Sequence, residues 1–381
     1  MPVSRRQFVS SLGLGGAGLL AAPAFPALAA RGREAGPARW RPTAAAEAGL
    51  IRLDSNENPN GPGARALAAL TGMLGEANRY PDAAEEVLVA AVARAHGVGA
   101  ENVVLGAGSS EILRMCVKAF TGPQRALVTA APTFEPPAEF AQLLGHPVVT
   151  VPVDAALRLD LDAMGARAAG AGLVFFCNPN NPTATVHGEA AVRAFLGQVR
   201  RTSPATTILV DEAYHEYVDD PAYRSAVPIA VEDPMVVVSR TFSKVFGMAG
   251  LRCGYAIAHR DTAATLQKWR LGSSVSVLAL AAATATVEDR AHIEAEQRAN
   301  REAKAFTRAF FEGAGYRVGP SDTNFLMIDL RRDPQPVRMA CRANGIAVGR
   351  PFPPLTNWLR VSIGTLEEMR QATEVFRRVL A

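Results

Sequence analysis

Five short apolar runs between residues 102 and 244 constrain the fold more than any other feature of the sequence. The runs are NVVLGAG (102–108), RALVTAAPT (125–133), GLVFFCNPN (172–180), TTILVDEAY (206–214) and MVVVSRTFSK (235–244). Turn-forming or hydroxyl residues close them, and segments of helical periodicity separate them. Continuous apolar runs that alternate with helices are typical of buried, mostly parallel strands. The sequence therefore predicts an α/β sheet.

The pattern changes past residue 283. A long charged segment, EDRAHIEAEQRANREAKAFTRAFFEGAG, has helical periodicity and precedes the strand-like stretches NFLMIDL and WLRVSIG. A helix followed by short strands predicts a smaller α+β domain over 283–381, which the segment 53–75 joins. The large domain is predicted over 76–282. A chain of 381 residues, 49% of them hydrophobic, is long enough to bury two such cores.

The first 29 residues have the features of an export signal. Arg5 and Arg6 precede a mildly apolar segment, rich in glycine and alanine, that ends in Ala27-Leu28-Ala29. This order predicts a twin-arginine signal peptide cut after Ala29, then a linker or N-terminal arm over 30–52. We expect a periplasmic or exported protein; an uncleaved tail on a cytoplasmic protein is the alternative. The segment is too rich in glycine and proline for stable membrane insertion.

Charge and cysteine content exclude several classes of function. The net charge is +4 and no basic block is interleaved with aromatic residues, so nucleic acid is not an expected partner. The four cysteines lie far apart and form no C-x-x-C motif or Cys/His cluster: Cys116, Cys177, Cys253 and Cys341. Neither a metal site nor a disulfide framework is predicted.

The residues just after each run are candidates for chemistry, because ligands of open α/β sheets bind beyond the carboxyl ends of the strands. After the first run, GAGSSEIL would open a helix whose amides at Ser109 and Ser110 suit an anion. A helix cap with nothing bound is the alternative. After the second run, Phe134 is either a ring that stacks on a flat heterocycle or a core residue.

The third and fourth runs end in an amide-rich turn and a carboxylate. Asn178 and Asn181 lie between prolines in CNPNNPT, which forms a rigid turn or fixes an amide donor toward a phenolic oxygen. Asp211 ends a strongly apolar strand, and a buried carboxylate needs a partner such as a protonated pyridine nitrogen. Tyr214 would reach the oxygen of the same ring. A helix-capping Asp211 beside a surface Glu212 is the alternative.

The fifth run leads to Lys244, which is flanked by Thr241 and Ser243 and followed by Arg252. Hydroxyls and a guanidinium together suit a phosphate group. Lys244 is then either an amine that forms an imine with a carbonyl or a solvated loop charge. One ligand satisfies all five strand ends, namely pyridoxal 5′-phosphate.

The order GAGSSE, APTF, NPNNPT, DEAY, TFSKVFGMAGLR and LRVSIG resembles the fold type I, aspartate-aminotransferase-like enzymes. In addition, LDSNENPNGP (53–62) and NRYPD (78–82) resemble the histidinol-phosphate aminotransferase branch. The resemblance runs from about Leu53 to the C-terminus. It implies a large domain with a mostly parallel seven-stranded sheet, a smaller α+β domain and pyridoxal phosphate as cofactor.

The resemblance also implies a role for each site residue. Lys244 would be the Schiff-base lysine, Asp211 the partner of the pyridine nitrogen, and Arg360 the group that grips the substrate α-carboxylate. Tyr80 of the RYPD motif would reach the phosphate in a neighbouring subunit, which implies a homodimer with shared active sites. The ring hydroxyl would be contacted by Asn181 and Tyr214, and the phosphate held by Ser109, Ser110, Thr241, Ser243 and Arg252.

Three departures from the family pattern are visible. Phe134 replaces a tyrosine, so a hydroxyl is lost while stacking survives. Ala184 replaces the glycine of NPTG. The segment from Arg350 to Arg360 is short, and this is where the branch is expected to bind the phosphate of histidinol phosphate. Arg350 is therefore a candidate substrate-binding residue that either holds this phosphate or caps a surface loop.

The expected activity is that of a transferase: transamination between an amino acid or a histidinol phosphate-like amino-alcohol phosphate and a 2-oxo acid such as 2-oxoglutarate. The alternatives on the same scaffold are an aminotransferase for aromatic or specialised amino acids and a decarboxylase. An alternative from another class is a non-catalytic protein that binds the cofactor.

Overall fold

The computed structural model describes residues 49–381, so the predicted signal over 1–29 and most of the predicted linker lie outside it. The strands of this part are β1 (Ile51–Leu53), β2 (Val103–Gly106), β3 (Leu127–Ala131), β4 (Val148–Pro152), β5 (Leu173–Cys177), β6 (Thr207–Asp211), β7 (Val236–Thr241), β8 (Gly254–Ala258), β9 (Arg317–Val318), β10 (Phe325–Asp329), β11 (Ile346–Val348) and β12 (Trp358–Ser362). The first strand therefore begins just inside the predicted linker.

The helices connect and cover these strands. They are α1 (Ala64–Gly72), α2 (Asp82–His96), α3 (Ser109–Phe120), α4 (Pro136–Leu143), α5 (Leu161–Arg167), α6 (Glu189–Thr202), α7 (Val227–Glu232), α8 (Arg260–Gln267), α9 (Val277–Thr286), α10 (Arg290–Gly313), α11 (Pro334–Ala343) and α12 (Leu366–Leu380). Short 3₁₀ turns lie at Leu74–Glu76, Ala100–Asn102, His215–Tyr217 and Ala249–Leu251. None of these helices combines the length and the apolarity that crossing a membrane requires.

The main sheet has seven strands in the order β2-β8-β7-β6-β5-β3-β4. Only β8 within it runs antiparallel to its neighbours, so the predicted mostly parallel seven-stranded sheet is confirmed. The five predicted runs form strands β2, β3, β5, β6 and β7, which all run in the same direction. Their carboxyl ends therefore lie along one edge, where Asp211 is paired in register with Ser239.

Two apolar cores stabilise the chain. The core of the main sheet has a large cluster on one face, with residues such as Phe176 and Val210, and a smaller cluster on the other face, with residues such as Phe175 and Leu209. The rings of Phe176 and Phe195 meet edge to face at 5.5 Å. Full burial of such a side chain contributes about 1.5–3 kcal/mol. The second core gathers residues of the C-terminal region together with Leu53.

The second core explains how the N-terminal strand joins the C-terminal region. β1 pairs parallel to β11, with Ile51 opposite Ile346, while β12, β10 and β9 form a separate three-stranded sheet. In α10, Ala303, Thr307 and Phe311 are buried four residues apart on one face. Ala66 of α1 packs in the larger core instead. The domain boundaries themselves remain a prediction.

Candidate active site

A cavity of about 450 Å³ opens at the carboxyl edge of the main sheet. It is lined by the loops that follow the five predicted strands, by the segment after β1 and by the region from β11 to β12. The predicted site residues among its lining are Ser109, Ser110, Phe134, Asn181, Asp211, Tyr214, Thr241, Ser243, Lys244, Arg252, Arg350 and Arg360. Tyr80 is not among them, and it is 85% exposed.

Lys244 lies in the loop after β7, with its stem packed between buried residues and its amine in the cavity. Its Nζ donates a hydrogen bond to the backbone carbonyl of Asn56 at 3.1 Å and lies 5.6 Å from the centre of the Tyr214 ring. Burial, together with the nearby Arg360 guanidinium, lowers the pKa of this amine to about 8. About a tenth of the amine is therefore neutral and nucleophilic at pH 7, far more than for an ordinary lysine.

Asp211 ends β6 at the floor of the cavity and is 2% exposed. The Ser239 hydroxyl donates to its Oδ1 at 3.0 Å, while within residues 49–381 its Oδ2 accepts only from the Cys177 thiol, at 3.9 Å. Burial raises the pKa of this carboxyl to about 7, although the bond from Ser239 acts to lower it. A carboxylate oxygen without a strong donor, facing a cavity, suits a cationic nitrogen.

Tyr214 and Asn56 form the wall beside Lys244. Asn56 Nδ2 donates to the Tyr214 hydroxyl at 3.0 Å, and the Tyr214 ring meets Phe325 edge to face at 5.4 Å. Burial raises the pKa of Tyr214 above its usual range. The phenol is therefore neutral and held in one orientation, with a proton to donate to an acceptor in the cavity.

The opposite end of the cavity has the donors of a phosphate site. Arg252 directs Nη1 to Ser243 Oγ and Nη2 to Ser110 Oγ, each at 3.4 Å, and α3 begins at Ser109. Gly108, with φ of +75°, leaves room for this guanidinium, because an added Cβ would lie 2.3 Å from Nη2. Backbone amides at a helix start, hydroxyls and arginine together fit a phosphate monoester.

Arg360 projects from β12 into the cavity and is 7% exposed. It donates from Nη1 to Asn181 Oδ1 at 2.8 Å and from Nη2 to the Asp54 carbonyl at 2.6 Å. Its Nε is buried and has no partner in the described part of the chain. Burial lowers the pKa of Arg360 to about 10, so it stays charged at neutral pH. A buried guanidinium with an unused donor suits a carboxylate.

Arg350 lies at the outer end of the same cavity. It forms an ion pair with Glu135, the residue before α4, and its guanidinium stacks at 4.4 Å from the centre of the Phe352 ring. Arg360 stacks on the same ring at 4.6 Å. The Phe352 ring therefore contacts both the buried guanidinium of Arg360 and the exposed guanidinium of Arg350.

Two sequence-based interpretations change once the side chains are placed. The alternative in which Glu212 lies on the surface is wrong, because Glu212 is 1% exposed and pairs with Arg240 at 2.7 Å. Asn178 does not line the cavity; it exchanges hydrogen bonds with the backbone of His187 and so fixes the turn. Ala184 adopts a φ of +62°, the left-handed conformation that glycine takes without cost.

Asn56 was not predicted as a site residue; it is buried and joins four parts of the site. Its backbone and side chain contact Ser362, Tyr214, Lys244 and Asn324. Asn56 lies in the stretch LDSNENPNGP, whose resemblance to the aminotransferase branch could have marked it as a site residue. Ser239, which holds Asp211, was also missed, although it follows directly after the apolar part of its strand.

Enzymes that bind pyridoxal phosphate at the carboxyl edge of a seven-stranded, mostly parallel sheet form the fold type I class, and this fold places the chain among them. More specifically, the chain belongs to the aminotransferase class I and II family, whose model matches residues 48–376. It is a pyridoxal-phosphate-dependent aminotransferase of the histidinol-phosphate aminotransferase-like branch. The family and cofactor predicted from the sequence are thereby confirmed.

Similar proteins support this assignment. The chain is 38% identical to the histidinol-phosphate aminotransferase of Symbiobacterium thermophilum, over 87% of this chain and 91% of that protein. The histidinol-phosphate aminotransferase of Sinorhizobium meliloti, solved with pyridoxal 5′-phosphate, matches with a TM-score of 0.82 and 26% identity, over 87% of this chain and 90% of that one. An aspartate aminotransferase of Thermus thermophilus shares the fold, with a TM-score of 0.75 at 19% identity over 87% and 91%.

Proposed function

We propose that this aminotransferase transfers the amino group of an amino acid or a histidinol phosphate-like amino-alcohol phosphate to a 2-oxo acid such as 2-oxoglutarate. The observation that carries the proposal is the position of Lys244, a lysine with a lowered pKa, in the same cavity as Asp211 and Arg360. The relatives in the histidinol-phosphate aminotransferase branch support the class of donor.

Each residue has a distinct task in this proposal. When bound, pyridoxal phosphate supplies an aldehyde and a ring that accepts electrons from the substrate α-carbon. Lys244 would hold the aldehyde through its Nζ, and as a neutral amine it would serve as the base for the proton of the substrate α-carbon. The Asp211 carboxylate would accept a hydrogen bond from the ring nitrogen and so keep that nitrogen protonated.

The remaining residues hold the ligands in place. Tyr214 and Asn181 would hold the ring hydroxyl, and Phe134 would pack against the ring. Arg360 binds the substrate carboxylate through donors that include the free Nε. The phosphate is held by Ser109, Ser110, Thr241, Ser243 and Arg252.

A two-step spectral assay tests the proposal. The protein loaded with pyridoxal phosphate is mixed first with histidinol phosphate or one of a panel of amino acids, and then with 2-oxoglutarate. The cofactor absorbance should change with a productive donor and return with the acceptor. Release of carbon dioxide in place of the keto product would identify the decarboxylase alternative. If no donor changes the absorbance, the protein only binds the cofactor.

We also propose a homodimer in which Tyr80 reaches the cofactor phosphate of the neighbouring subunit. Its 85% exposure and its position outside the cavity of its own chain support this. The variants Tyr80→Ala and Lys244→Ala should each be poorly active alone. Mixing them after mild unfolding should restore activity, because a hybrid dimer has one intact site. Without such recovery, sites are not shared.

Finally, we propose export through the twin-arginine signal over 1–29. The pair Arg5 and Arg6 and the small residues up to Ala29 support it. Replacing both arginines with lysine should retain the protein in the cytoplasm with its N-terminus uncut. Equal distribution of both forms between the cell fractions would contradict export by this route.

A further inference from the structure

A glutamate in the first turn of α3 connects three parts of the chain through its carboxylate. Glu111 Oε2 accepts a hydrogen bond from the backbone N–H of Ala107 at 2.6 Å and another from the Ser274 hydroxyl at 2.7 Å. Its Oε1 accepts from the backbone N–H of Leu271 at 3.0 Å. Glu111 is partly buried and is not among the residues that line the cavity. Its carboxylate therefore acts on the surrounding backbone.

The backbone on one side of this contact is the turn that leads into the proposed phosphate site. Gly106 ends β2, Gly108 precedes α3, and Ala107 lies between them. Gly108 has a φ of +75°, and an added Cβ there would lie 2.3 Å from Arg252 Nη2. Glycine loses more conformational freedom on ordering than any other residue. A turn with two glycines therefore depends on contacts from outside, and Glu111 provides one at its middle residue.

The segment on the other side of the contact, between α8 and α9, is anchored independently. Arg270 of this segment forms an ion pair with Glu85 of α2, and their side chains are only 11% and 14% exposed. At the far end of the segment, Ser276 Oγ accepts a hydrogen bond from the Ala279 N–H at the start of α9. Glu111 thus ties a turn rich in glycine to a segment that other contacts already hold in place.

The charge of Glu111 and the position of its hydrogen bonds have opposite effects on a phosphate. A carboxylate in the first turn of the helix repels an anion bound at the start of that helix. Its three hydrogen bonds, however, are charge-assisted and about twice as strong as neutral ones. They compensate much of the charge and fix the turn at the same time. The positioning effect should therefore be the larger one.

We infer that Glu111 is a positioning residue for the cofactor phosphate: it fixes the turn before α3, so that the amides of Ser109 and Ser110 are already placed to receive the phosphate. Preorganisation of this kind lowers the entropic cost of binding. The inference rests on the phosphate site of the proposed function and adds to it a residue that touches no ligand.

The test compares pyridoxal phosphate with pyridoxal, which has the same ring and aldehyde but no phosphate. Fluorescence titration of the cofactor-free protein gives a Kd for each. Glu111→Asp keeps the charge but shortens the side chain, so that it cannot reach the turn and the segment together. We expect the Kd of pyridoxal phosphate to rise by about tenfold and that of pyridoxal to stay the same. A general loosening of the site would raise both and would overturn the inference.

Two further variants separate position from charge. Glu111→Gln keeps the length, but its NH₂ group meets a donor in place of an acceptor oxygen, so the Kd of pyridoxal phosphate should again rise. A lower Kd in Glu111→Gln would mean that charge repulsion dominates, and would overturn the inference. Ser274→Ala removes one of the three hydrogen bonds from outside α3 and should raise the same Kd by about threefold. It keeps the test available if the Glu111 variants do not fold, and an unchanged Kd would then contradict the inference.

Glu368 offers a matched control, because it is the third residue of α12 just as Glu111 is the third residue of α3. It accepts the Thr365 N–H at 2.7 Å and does not line the cavity. Glu368→Asp should therefore leave both Kd values unchanged. Arg252→Met tests the phosphate site itself. If Arg252→Met weakens the binding of pyridoxal phosphate and Glu111→Asp does not, the inference is wrong and the proposed site stands. If neither does, the proposed phosphate site is wrong, and the inference with it.

Discussion

Lys244 Nζ and the backbone carbonyl of Asn56 lie 3.1 Å apart, although 188 positions separate the two residues in the chain. Asn56 follows β1, which packs with the C-terminal region, while Lys244 follows β7 of the main sheet. The hydrogen bond therefore joins the two apolar cores at the reactive amine. A change in how these cores meet would alter the position of that amine.

Replacing Lys244 with alanine should abolish transamination while preserving the fold. General acid–base catalysis alone contributes about 10²–10⁴-fold, and the covalent link to the cofactor is lost as well, so kcat should fall by at least about 10³-fold. Lys244 is partly exposed and lines the cavity, so the melting temperature of the cofactor-free protein should change little. Borohydride reduction should attach the cofactor to the unchanged protein at Lys244 and leave the variant unlabelled. Labelling of another lysine in the unchanged protein would refute this assignment.

The lowered pKa of Lys244 predicts the pH dependence of cofactor capture. Only the neutral amine attacks an aldehyde, and its fraction rises as the pH passes the pKa of about 8. The rate at which cofactor-free protein captures pyridoxal phosphate should therefore rise from pH 6.5 to about 8.5 and then level off. Stopped-flow absorbance measures this rate. A rate that keeps rising toward pH 10.5, the ordinary pKa of lysine, would show that burial does not shift the amine.

Asp211→Asn should stabilise the cofactor-free protein and impair catalysis. The pKa of Asp211 rises from an ordinary value of 3.8 to about 7 on folding. Between these pH values the folded state binds more protons than the unfolded state, so the free energy of unfolding falls as the pH rises through this window. Asparagine does not ionise, so Asp211→Asn avoids this loss of unfolding free energy, which amounts to up to about 4 kcal/mol above pH 7.

Thermal unfolding at two pH values checks this prediction. Asp211→Asn should melt at a higher temperature than the unchanged protein at pH 8, and at nearly the same temperature at pH 4, where Asp211 is protonated. Its kcat should fall by about 10²-fold or more, since the charge opposite the ring nitrogen is lost. A destabilised variant at pH 8 would mean that Asp211 already has a cationic partner in the cofactor-free protein.

Gly108 and Gly145 offer a matched test of the phosphate site. Both have positive φ, +75° and +74°, so alanine strains the backbone at each; Gly108 also has a ψ of 166°, a conformation almost confined to glycine. At Gly108 the new Cβ would also lie 2.3 Å from Arg252 Nη2, whereas at Gly145 nothing lies within 4 Å. Fluorescence titration should give a Kd for pyridoxal phosphate about tenfold or more higher in Gly108→Ala, and an unchanged Kd in Gly145→Ala. Equal Kd values for the two variants would mean that Arg252 does not contribute to cofactor binding.

The parts of the fold that the sequence predicts are those with a strong local pattern. β5 and β6 are buried throughout, so their apolar runs are continuous and easy to recognise. β4 lies at the edge of the sheet and only its Val151 is buried; its short run VVTVP is interrupted by Thr150 and ends at a proline, and it was not predicted. The strand ends bring Asp211, Lys244 and Ser109 to one edge because parallel strands point the same way, which a sequence pattern can indicate.

Contacts between distant segments could not be predicted in the same way. Asn56 reaches Ser362, and Arg350 reaches Glu135, across 306 and 215 positions. No periodicity or turn signal encodes such pairs, because they depend on how the two cores pack. Glu212 shows the same limit: its charge suggested the surface, and only the placement of Arg240 beside it explains its burial.

Asn56 provides the last prediction, since its side chain and its backbone conformation can be tested separately. The residue is 2% exposed and has a φ of +53°, a conformation that asparagine and glycine tolerate better than alanine. Asn56→Gly keeps the backbone conformation but removes the hydrogen bonds to Tyr214 and Ser362. We expect it to lower the free energy of unfolding by about 1–3 kcal/mol and to lower kcat/KM, because the phenol loses its donor.

Asn56→Ala should lose a further 1 kcal/mol or so from backbone strain, with about the same kcat/KM as Asn56→Gly. Denaturant unfolding and steady-state kinetics on both variants separate the two effects. Equal stability of the two variants would mean that the left-handed backbone carries no cost at this position. Unchanged kcat/KM in both would mean that Tyr214 and Lys244 keep their orientation without Asn56, and that the contact between the two cores serves stability alone.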